Sequence, residues 1–508
     1  MVCNSIATLP RIEIISYWVL WVGGVFYSTY HVYLVSDTFG KQFGIEELGP
    51  GWSIIGRRKD ISDYEWQTWL PFLWNLLPWF IVHHVGAELL RLCQCKELLR
   101  IWYISVTCLF TTNYCGLIPL IPMIISPIFL FFIAKLKRTL MCWLTSIFLL
   151  IGLSLFQTSL LSDEQIMVLC VCCAWAQLRC MSFCMDWING ETWSVAPLLK
   201  DDCSPQVVRL LSYIFYLPLM FLGPFVPYKD FERAIQADIT SWQCFKMRIL
   251  RLLLNSIRFL GWMFFTELCL HFIYCNAIQL HYEALQFLDT WTLFGLAYCI
   301  GQFFLNKYVV IYGLMGTLAE FDALNTPPVP RCIAHISMYS DMWRHFDRGF
   351  YNFLRGYIYD PLLEQFSTDR KRHILLTTVC FAFVYVWHGL SLNIFIWSLC
   401  NFAGIILESL GREVTTLPSY QELERKLSPA NVRRLRALAT SPLFIMSAMT
   451  MFFFLGGYEV GIVFVAQIYS SSLLRFAVLL LFAYCMCQVS IEIKLIKEKY
   501  VNTQQKVN

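Results

Sequence analysis

The sequence predicts an all-α polytopic membrane protein with about 10–12 membrane helices, including re-entrant segments and interfacial amphipathic helices. Three observations predict this class. Hydrophobic residues make up 57% of the 508 residues, only 15% are charged, and apolar windows long enough to cross hydrocarbon recur along the chain. Soluble domains carry about 25% charged residues, so a soluble globular fold is excluded. The net charge of +4 is too small to indicate a nucleic-acid partner.

The apolar windows that are long enough to span a bilayer lie at residues 12–30, 68–90, 101–118, 140–161, 166–184, 207–226, 257–275, 287–305, 374–392, 443–465 and 473–491. The first lacks a small-residue cleavage site, so we expect a signal anchor rather than a cleaved signal peptide. A further apolar stretch at 119–132 contains Pro119, Pro122 and Pro127. Because proline interrupts helices, we expect a short or re-entrant piece there.

Polar segments between the windows are too short for a separate soluble domain. Segment 36–67 mixes glycine, charged residues and Trp52, which indicates an ordered cap rather than a flexible linker. Segment 188–205 combines amide, carboxylate and indole groups and predicts a polar loop.

Basic residues predict the orientation of the chain. Segment 411–438 is the most charged section, and Lys494, Lys497 and Lys499 lie in the C-terminal tail. By the positive-inside rule these segments face the cytosol, which gives a cytosolic C-terminus. The basic segment 369–373 is then expected on the same side, so that His388 lies toward the lumen.

A histidine lies within the uncharged apolar run 374–397. A titratable imidazole at membrane depth is costly and usually faces a protein interior or a water-filled cavity, so His388 is a candidate functional residue. The alternative is a histidine with a purely structural role. Glu267 and His271, one helical turn apart in another window, form a rival pair that residue spacing alone ranks equally.

Segment 342–357, treated as a helix, separates into two faces. Its apolar residues recur at helical spacing, and Arg344, Asp347, Arg348, Tyr351 and Arg355 cluster opposite, with Asp347 at the boundary. This pattern predicts a helix lying at or dipping into a membrane interface. The alternative to a catalytic Asp347 is a solvated carboxylate that pairs with Arg344 or Arg348.

Several short motifs resemble one family. They are Pro330-Arg331-Cys332-Ile333-Ala334, Tyr339-Ser340-Asp341-Met342-Trp343-Arg344-His345-Phe346-Asp347, Phe353-Leu354, Tyr357-Ile358-Tyr359 and Val386-Trp387-His388-Gly389. In combination they resemble the membrane-bound O-acyltransferase (MBOAT) superfamily, in particular the branch that acylates Hedgehog proteins. The resemblance extends over essentially the whole chain. It implies the MBOAT fold as a single integral-membrane domain, 1–508, with a core at roughly 140–465 and catalytic segments at 330–360 and 374–397.

The resemblance also implies roles for individual residues. It places the family histidine at His388 and a second catalytic residue at Asp347. Many lipid-acylating relatives have asparagine at the latter position, so the aspartate favours a protein substrate. Arg344 and Trp343 fall where the family binds substrate near the acyl-CoA tunnel. Cys332 matches a cysteine that ligates haem iron, which makes haem a candidate cofactor.

The implied reaction transfers palmitate from palmitoyl-CoA to the N-terminal cysteine amine of a secreted signalling protein of the Hedgehog type. The product is an amide, formed across the endoplasmic reticulum membrane (or that of the Golgi). An α-amine with pKa ~7.7–8.0 is mostly protonated at pH 7, so His388 would act as general base. The CoA would dock from the cytosol near Arg370, Lys371 and Arg372. Direct N-acylation and S-acylation followed by an S-to-N shift both remain open.

Three rival functions remain. One is a lipid acyltransferase of the same superfamily with an alcohol acceptor. Another is a proton-coupled transporter in which His388 and Glu267 relay protons, although the chain shows no internal repeats of the kind that many transporters carry. The third is a catalytically silent scaffold, which the retained histidine disfavours because an inactive-type relative lacks it.

Overall fold

The computed structural model describes residues 7–155, 160–190, 203–332, 335–365, 370–470 and 472–507, with the side chains of 203–204, 365, 370–371 and 502–507 left out. Two short strands, β1 Leu48–Gly49 and β2 Lys59–Asp60, pair antiparallel; the remaining elements of these residues are helical. The first helices are α1 Arg11–Phe39, α2 Tyr64–Leu92, α3 Lys96–Cys115, α4 Leu120–Lys135, α5 Thr139–Ser154, α6 Asp163–Ile188, α7 Cys203–Ile214, α8 Leu217–Met220, α9 Tyr228–Gln236, α10 Trp242–Cys269, α11 Cys275–Leu280 and α12 Tyr282–Leu285. Those that follow are α13 Thr290–Phe321, α14 Tyr339–His345, α15 Arg348–Phe353, a π-helical segment Leu354–Tyr359, α16 Asp360–Gln365, α17 Arg370–Trp387, α18 Leu392–Val414, α19 Pro418–Lys426, α20 Pro429–Leu455, α21 Gly457–Tyr469 and α22 Leu473–Val507.

In this part of the chain, seven helices are long and apolar enough to cross a membrane: α1, α6, α10, α13, α18, α20 and α22. Shorter apolar helices are α4, α5, α21 and residues 372–387 of α17. The predicted all-α membrane class is therefore confirmed. The proline-rich stretch 119–132 forms the short helix α4, which begins after Pro119 and contains Pro127.

Two of the predicted windows, 207–226 and 443–465, do not form single spanning helices. Window 207–226 is interrupted between Ile214 and Leu217, and most of its side chains are buried inside the protein. It is apolar because it belongs to the protein core, not because it contacts lipid. Window 443–465 contains two helices, because α20 ends at Leu455 and α21 begins at Gly457, whose φ of +84° lies in the left-handed region.

Side-chain caps fix where five of the long helices begin. Asp63, Ser162, Ser241, Asp289 and Ser428 each accept a hydrogen bond from a backbone N–H of the helix that follows. Such caps satisfy amides that have no partner within the helix.

The segment 36–67 forms an ordered cap, as predicted. The Arg58 guanidinium donates to the backbone carbonyls of Phe43 and Leu48, and the Trp52 N–H donates to Nε2 of His271 at 2.9 Å. The Arg58 hydrogen bonds stabilise the β1–β2 hairpin, and the Trp52 hydrogen bond joins this segment to His271, which follows α10.

Glu267 and His271, the alternative to His388 as a functional pair, both make structural contacts. The Glu267 carboxylate accepts hydrogen bonds from Lys59 Nζ and Trp66 Nε1, both at 2.8 Å. The His271 ring contacts the backbone oxygen of Glu267 through Nδ1, at 2.7 Å. Each side chain is therefore satisfied by other partners, so the two do not form a side-chain pair.

Ion pairs gather several helix ends at one end of the bundle. Arg434 Nε donates to Glu13 at 2.8 Å, which joins the start of α20 to the start of α1. Lys494 pairs with Asp341, which joins the end of α22 to α14. Arg433 in segment 411–438 also pairs with Glu492 of α22 at 3.0 Å, so this basic segment lies beside the part of α22 that carries the C-terminal lysines.

Candidate active site

His388 lies in the turn between α17 and α18. Helix α17 ends at Trp387, and Gly389 has a φ of +95° that reverses the chain before α18 begins at Leu392. This corrects the expectation that His388 lies inside one continuous apolar span. The imidazole Nδ1 is 2.8 Å from the carbonyl oxygen of Val384. A carbonyl can only accept, so Nδ1 carries the proton and the lone pair is on Nε2.

Aromatic rings surround the imidazole. The ring centroids of Trp387, Trp397, Phe454 and Phe350 lie 4.7, 5.2, 5.5 and 6.0 Å from that of His388. Edge-to-face packing of this kind limits the ring to one orientation. The environment excludes water on these sides and leaves Nε2 as the basic atom.

Asp347 lies at the break between α14 and α15. Its Oδ1 accepts a hydrogen bond from the Phe350 N–H at 2.8 Å and caps α15. Its Oδ2 accepts from the Tyr312 hydroxyl, also at 2.8 Å. The single helix predicted over 342–357 is therefore wrong, since a capping aspartate begins a new helix at this point.

The structure does not support pairing of Asp347 with arginine. Arg344 contacts Asp341 at 3.9 Å, and Arg348 is exposed on the surface. Among the residues that the structure describes, the Asp347 carboxylate makes no ion pair with either of them. Its partners are a buried tyrosine and a helix N-terminus instead.

Asp347 and His388 line one cavity of about 1250 Å³. Phe350 contacts both residues. Its backbone N–H donates to the Asp347 carboxylate, and its ring packs against the His388 imidazole. Within the described ranges, no hydrogen bond joins the carboxylate to the imidazole. The two groups therefore face a shared space and do not contact each other as a dyad.

The rest of this cavity is mainly apolar. Small-molecule pockets usually measure about 300–1,000 Å³, so this one has room for a long acyl chain. The apolar and aromatic residues on its walls include Leu150, Val171, Trp175, Leu222, Leu293, Phe294, Phe304, Trp343, Phe346, Trp397, Phe444, Met451, Phe454 and Phe464. A reactive polar centre thus adjoins a large hydrophobic volume.

The two predicted substrate-binding residues differ in position. Trp343 lines the cavity and donates from Nε1 to Asn401 Oδ1 at 3.1 Å. The Arg344 side chain is about half exposed and is not part of the described cavity wall. Three basic residues, Arg370, Lys371 and Arg372, are predicted to bind CoA. The side chains of the first two lie outside the described residues.

Cys332 lies after α13 and is not among the residues that line the cavity of His388. Its thiol makes one long contact, 4.0 Å to Gln302 Oε1, and the buried Nε2 of Gln302 has no hydrogen-bond partner in the described structure. Nearby, Lys497 Nζ lies 3.3 Å from Nε2 of His335. Among the described residues the thiol has no strong partner and a cation lies nearby, which is compatible with a haem thiolate and its propionates.

Several residues of the site were not predicted from the sequence. Tyr312 holds Asp347, and Trp175 contacts both Tyr312 and Trp387. Trp397 and Phe454 enclose the imidazole. These four residues lie in apolar helices outside any recognisable motif. No sequence pattern therefore distinguishes them from ordinary core residues.

A second polar cluster has metal-ligand chemistry. The ligand atoms of His83, His84 and Asp322, all buried, lie within 4.8 Å of one another. However, the Asp322 carboxylate already accepts from Arg91 at 2.8 Å and from the Tyr216 hydroxyl at 2.7 Å. Because the positively charged Arg91 guanidinium already binds the Asp322 carboxylate, a metal cation would be repelled there. We therefore assign a structural role to this cluster.

The chain matches the family model of MBOAT, the membrane-bound O-acyltransferase family, over residues 197–450, which is half of its length. It is 27% identical over 497 residues to the protein-cysteine N-palmitoyltransferase Rasp of Drosophila melanogaster, covering 95% of each chain. It is 29% identical over 470 residues to the protein-cysteine N-palmitoyltransferase HHAT of Mus musculus, covering 89% of this chain and 92% of the relative. It is 26% identical over 200 residues to the membrane-bound O-acyltransferase GUP1 of Saccharomyces cerevisiae, covering 38% of this chain and 32% of the relative.

Proposed function

Because this chain belongs to the membrane-bound O-acyltransferase family, we propose that it transfers palmitate from palmitoyl-CoA to an N-terminal cysteine amine. One observation carries the proposal: His388 and Asp347 line the same large apolar cavity, and no hydrogen bond to His388 Nε2 is present among the described residues. The activities named for the two relatives aligned over most of the chain support it.

His388 is the general base. As the amine nitrogen attacks the thioester carbonyl, Nε2 takes its proton, the C–N bond forms, and the C–S bond then breaks. The proton passes to the departing CoA thiolate, giving a palmitoyl amide and free CoA. General base catalysis of this kind contributes about 10²–10⁴-fold.

Asp347 receives the acceptor. It makes no hydrogen bond to the imidazole within the described residues, so orienting His388 is not its role. A carboxylate held by Tyr312 and by the Phe350 N–H instead attracts the substrate ammonium. The ammonium loses one proton to solvent to become the neutral amine, and the second proton goes to His388 during the attack. This role fits an amine acceptor better than an alcohol.

The acyl chain lies in the apolar cavity, with Trp343 on its wall. CoA is polyanionic, so it stays at the protein surface, where the exposed Arg344 and the partly buried Arg372 contact its phosphates. The acceptor is a secreted protein of the Hedgehog type that arrives from the lumen. The protein accordingly resides in the endoplasmic reticulum membrane or in that of the Golgi, with a cytosolic C-terminus.

Cys332 is the proposed thiolate ligand of a haem iron, with Lys497 placed to pair with a propionate. Haem would supply structural or redox chemistry away from His388 and takes no part in the transfer. A Soret band in the purified protein that is lost in Cys332→Ala would support this. Its absence from the unmodified protein would refute it.

A lipid O-acyltransferase is the second candidate, supported by the similarity to GUP1 over part of the chain. A proton-coupled transporter is disfavoured, because Glu267 is held by Lys59 and Trp66 and does not line the described cavity. A relay from His388 to Glu267 therefore has no structural support.

Incubation of the purified protein with labelled palmitoyl-CoA and two peptides tests the proposal. One peptide begins with a free cysteine, and the other is identical but N-acetylated. We expect label in the first only, as a hydroxylamine-resistant amide. Label in both peptides, or only in a long-chain alcohol, would contradict an amine acceptor.

The matched variants are His388→Ala and His271→Ala, each of which removes one imidazole. Both variants are checked for folding by their thermal transitions. His388→Ala should abolish transfer with the fold intact, whereas any loss in His271→Ala should follow loss of stability. Transfer that survives in folded His388→Ala would exclude His388 as the base.

A further inference from the structure

Helix α10 carries two arginines, Arg251 and Arg258, on its outer surface. The helix is long and apolar enough to cross the membrane, and only 11% of its apolar window is buried inside the protein. Both arginine side chains are exposed. Among the described residues, neither guanidinium forms an ion pair or a hydrogen bond, and that of Arg258 lies 5.2 Å from the centroid of the Phe259 ring. Two charges therefore face outward from a membrane helix.

Two exposed tryptophans of α10, Trp242 and Trp262, indicate the depth of these charges. Tryptophan favours the two membrane–water interfaces. Because a helix rises 1.5 Å per residue, the two indoles are separated by about 30 Å, which is the thickness of the hydrocarbon core. Arg258 is then about 6 Å from the nearer interface, and Arg251 is about 14 Å from it. A long side chain near a helix end can extend to the interface, so Arg258 can reach water, whereas Arg251 lies near the middle of the bilayer.

The exposed face of α10 has the spacing by which one helix packs against another. Exposed residues recur at alternating intervals of three and four, which places them in one line along the helix. These residues are Arg251, Leu254, Arg258, Gly261, Phe265 and Leu268. At Gly261 an added Cβ would meet no described atom within 4 Å, so the backbone of a second helix can approach closely there. We call this line of six residues the α10 seam.

A different face of α10 is already occupied by α13. Phe259 is buried, and a Cβ added at Gly313 of α13 would lie 2.3 Å from its ring. The Arg248 guanidinium donates from Nε to the carbonyl oxygen of Phe321 at 2.6 Å. The arginine of the inner face is therefore satisfied within the protein, in contrast to the two arginines of the seam.

The charges of the seam select its occupant. In a symmetric dimer within a membrane the two α10 helices would run in the same direction, which would bring two copies of Arg251 together at one depth. Like charges repel strongly in a medium of low dielectric constant, so a second copy of this chain is disfavoured. A lipid phosphate lies at the interface, where it can pair with Arg258 but not with Arg251. A carboxylate carried to mid-membrane by a helix can pair with Arg251.

We propose that the α10 seam binds one transmembrane helix of another protein, which carries two carboxylates seven residues apart. Arg251 and Arg258 have the same separation, about 10 Å along the helix axis. Each carboxylate of the bound helix would then pair with one guanidinium. Intramembrane charges usually pair with one another or face a protein interior, and this contact provides both. The surface is separate from the cavity of His388 and does not depend on the proposed transfer reaction.

Energy transfer in lipid vesicles tests this surface. The purified full chain, labelled with an acceptor dye at its N-terminus, is reconstituted in phosphatidylcholine with a donor-labelled single-span peptide of leucine and alanine. The acidic peptide carries two glutamates seven residues apart near its middle, and the neutral peptide carries glutamines at the same positions. The variants are Arg251→Gln and Arg258→Gln. The control is Arg425→Gln, at an exposed residue of α19 outside the seam.

We expect saturable binding of the acidic peptide and binding of the neutral peptide that is at least tenfold weaker, as loss of a charged contact predicts. Arg251→Gln should weaken binding of the acidic peptide about tenfold. Arg258→Gln should weaken it less, because this arginine lies close to the interface. Arg425→Gln should bind like the unmodified protein. Absence of binding, equal binding of the two peptides, or equal binding to all variants would overturn the proposal.

The same vesicles test the two other occupants. Energy transfer between donor-labelled and acceptor-labelled copies of the chain that is lost in Arg251→Gln would assign the seam to a second copy. Loss of acidic-peptide binding when phosphatidylserine replaces part of the phosphatidylcholine would assign the arginines to lipid phosphates. Either result would refute the proposal, whereas binding of the acidic peptide that persists in phosphatidylserine supports it. These measurements do not require palmitate transfer, so they remain decisive if the proposed function is wrong.

Discussion

The Tyr312 hydroxyl donates a hydrogen bond of 2.8 Å to the Asp347 carboxylate, which joins α13 to the start of α15. The other carboxylate oxygen accepts from the Phe350 N–H. Asp347 is therefore held in one orientation before any substrate binds. This preorganisation gives Tyr312 a positioning role.

Replacing Tyr312 with phenylalanine should reduce kcat by roughly 10- to 100-fold, because a hydrogen bond to a charged group contributes about 1.5–3 kcal/mol. The KM for palmitoyl-CoA should change little. Tyr30→Phe, at a side chain that is 55% exposed, should retain full turnover. The measurement is the initial rate of palmitoylation of a peptide that begins with cysteine.

A double-mutant cycle distinguishes positioning from a general structural effect. In Asp347→Asn, Tyr312→Phe should cause little further loss, because both changes remove the same interaction. Losses that add fully would show that Tyr312 acts independently of Asp347.

Gly389→Ala should lower both stability and turnover. At a φ of +95° an L side chain is strained, at a cost of about 1–3 kcal/mol, although a Cβ there would meet no neighbouring atom within 4 Å. The strain falls on the turn that orients His388. Gly411→Ala, also free of neighbours but inside α18, should be neutral or stabilising. Thermal unfolding and turnover of both variants check this, and equal behaviour would refute the role of the turn.

The residue pattern was sufficient to predict the membrane class, whereas His388 and Asp347 were selected by the family resemblance; the two residues line one cavity. Neither could predict Tyr312, because that residue is distant in sequence and lies in an ordinary apolar helix. The break at Asp347 was missed since the apolar periodicity continues across it. Aspartate is a common N-cap, so Asp347 could have indicated a helix start. The continuous apolar periodicity of 342–357 favoured a single helix instead.

Hydropathy also could not distinguish lipid contact from protein contact. The apolar windows of α10 and α13 have the same mean hydropathy of 1.3, yet 11% of the first and 50% of the second are buried inside the protein. Window 207–226 failed for the same reason. Burial by neighbouring helices depends on tertiary packing, which no local pattern contains.

Gly349→Ala should impair the site through the backbone. A Cβ at this position would lie 2.6 Å from the backbone oxygen of Phe225, so α15 would have to move away together with its cap Asp347. Overpacking of this kind costs about 1–3 kcal/mol. Turnover should fall more than for Gly356→Ala, whose Cβ would meet nothing within 4 Å. If the two variants have the same rate and thermal transition, α15 is not held by this contact.

Arg91→Leu should strongly destabilise the fold without involving the active site. Arg91 is 2.8 Å from Asp322 and 2.9 Å from Glu88, with its side chain 8% exposed. Removing one partner of a buried ion pair costs about 3–5 kcal/mol. Asp322 would lose its guanidinium partner and keep the Tyr216 hydroxyl, whereas Glu88 would keep Arg248.

Thermal unfolding in detergent measures this effect, with Arg233→Leu as the control. Arg233 also pairs with an aspartate, but its side chain is 72% exposed, and exposed pairs contribute only about 0–1 kcal/mol. The double variant Arg91→Leu with Asp322→Asn should regain part of the lost stability, since it neutralises one unpaired carboxylate. A double variant no more stable than Arg91→Leu alone would show that packing of the guanidinium, rather than its charge, stabilises the ends of α2 and α13.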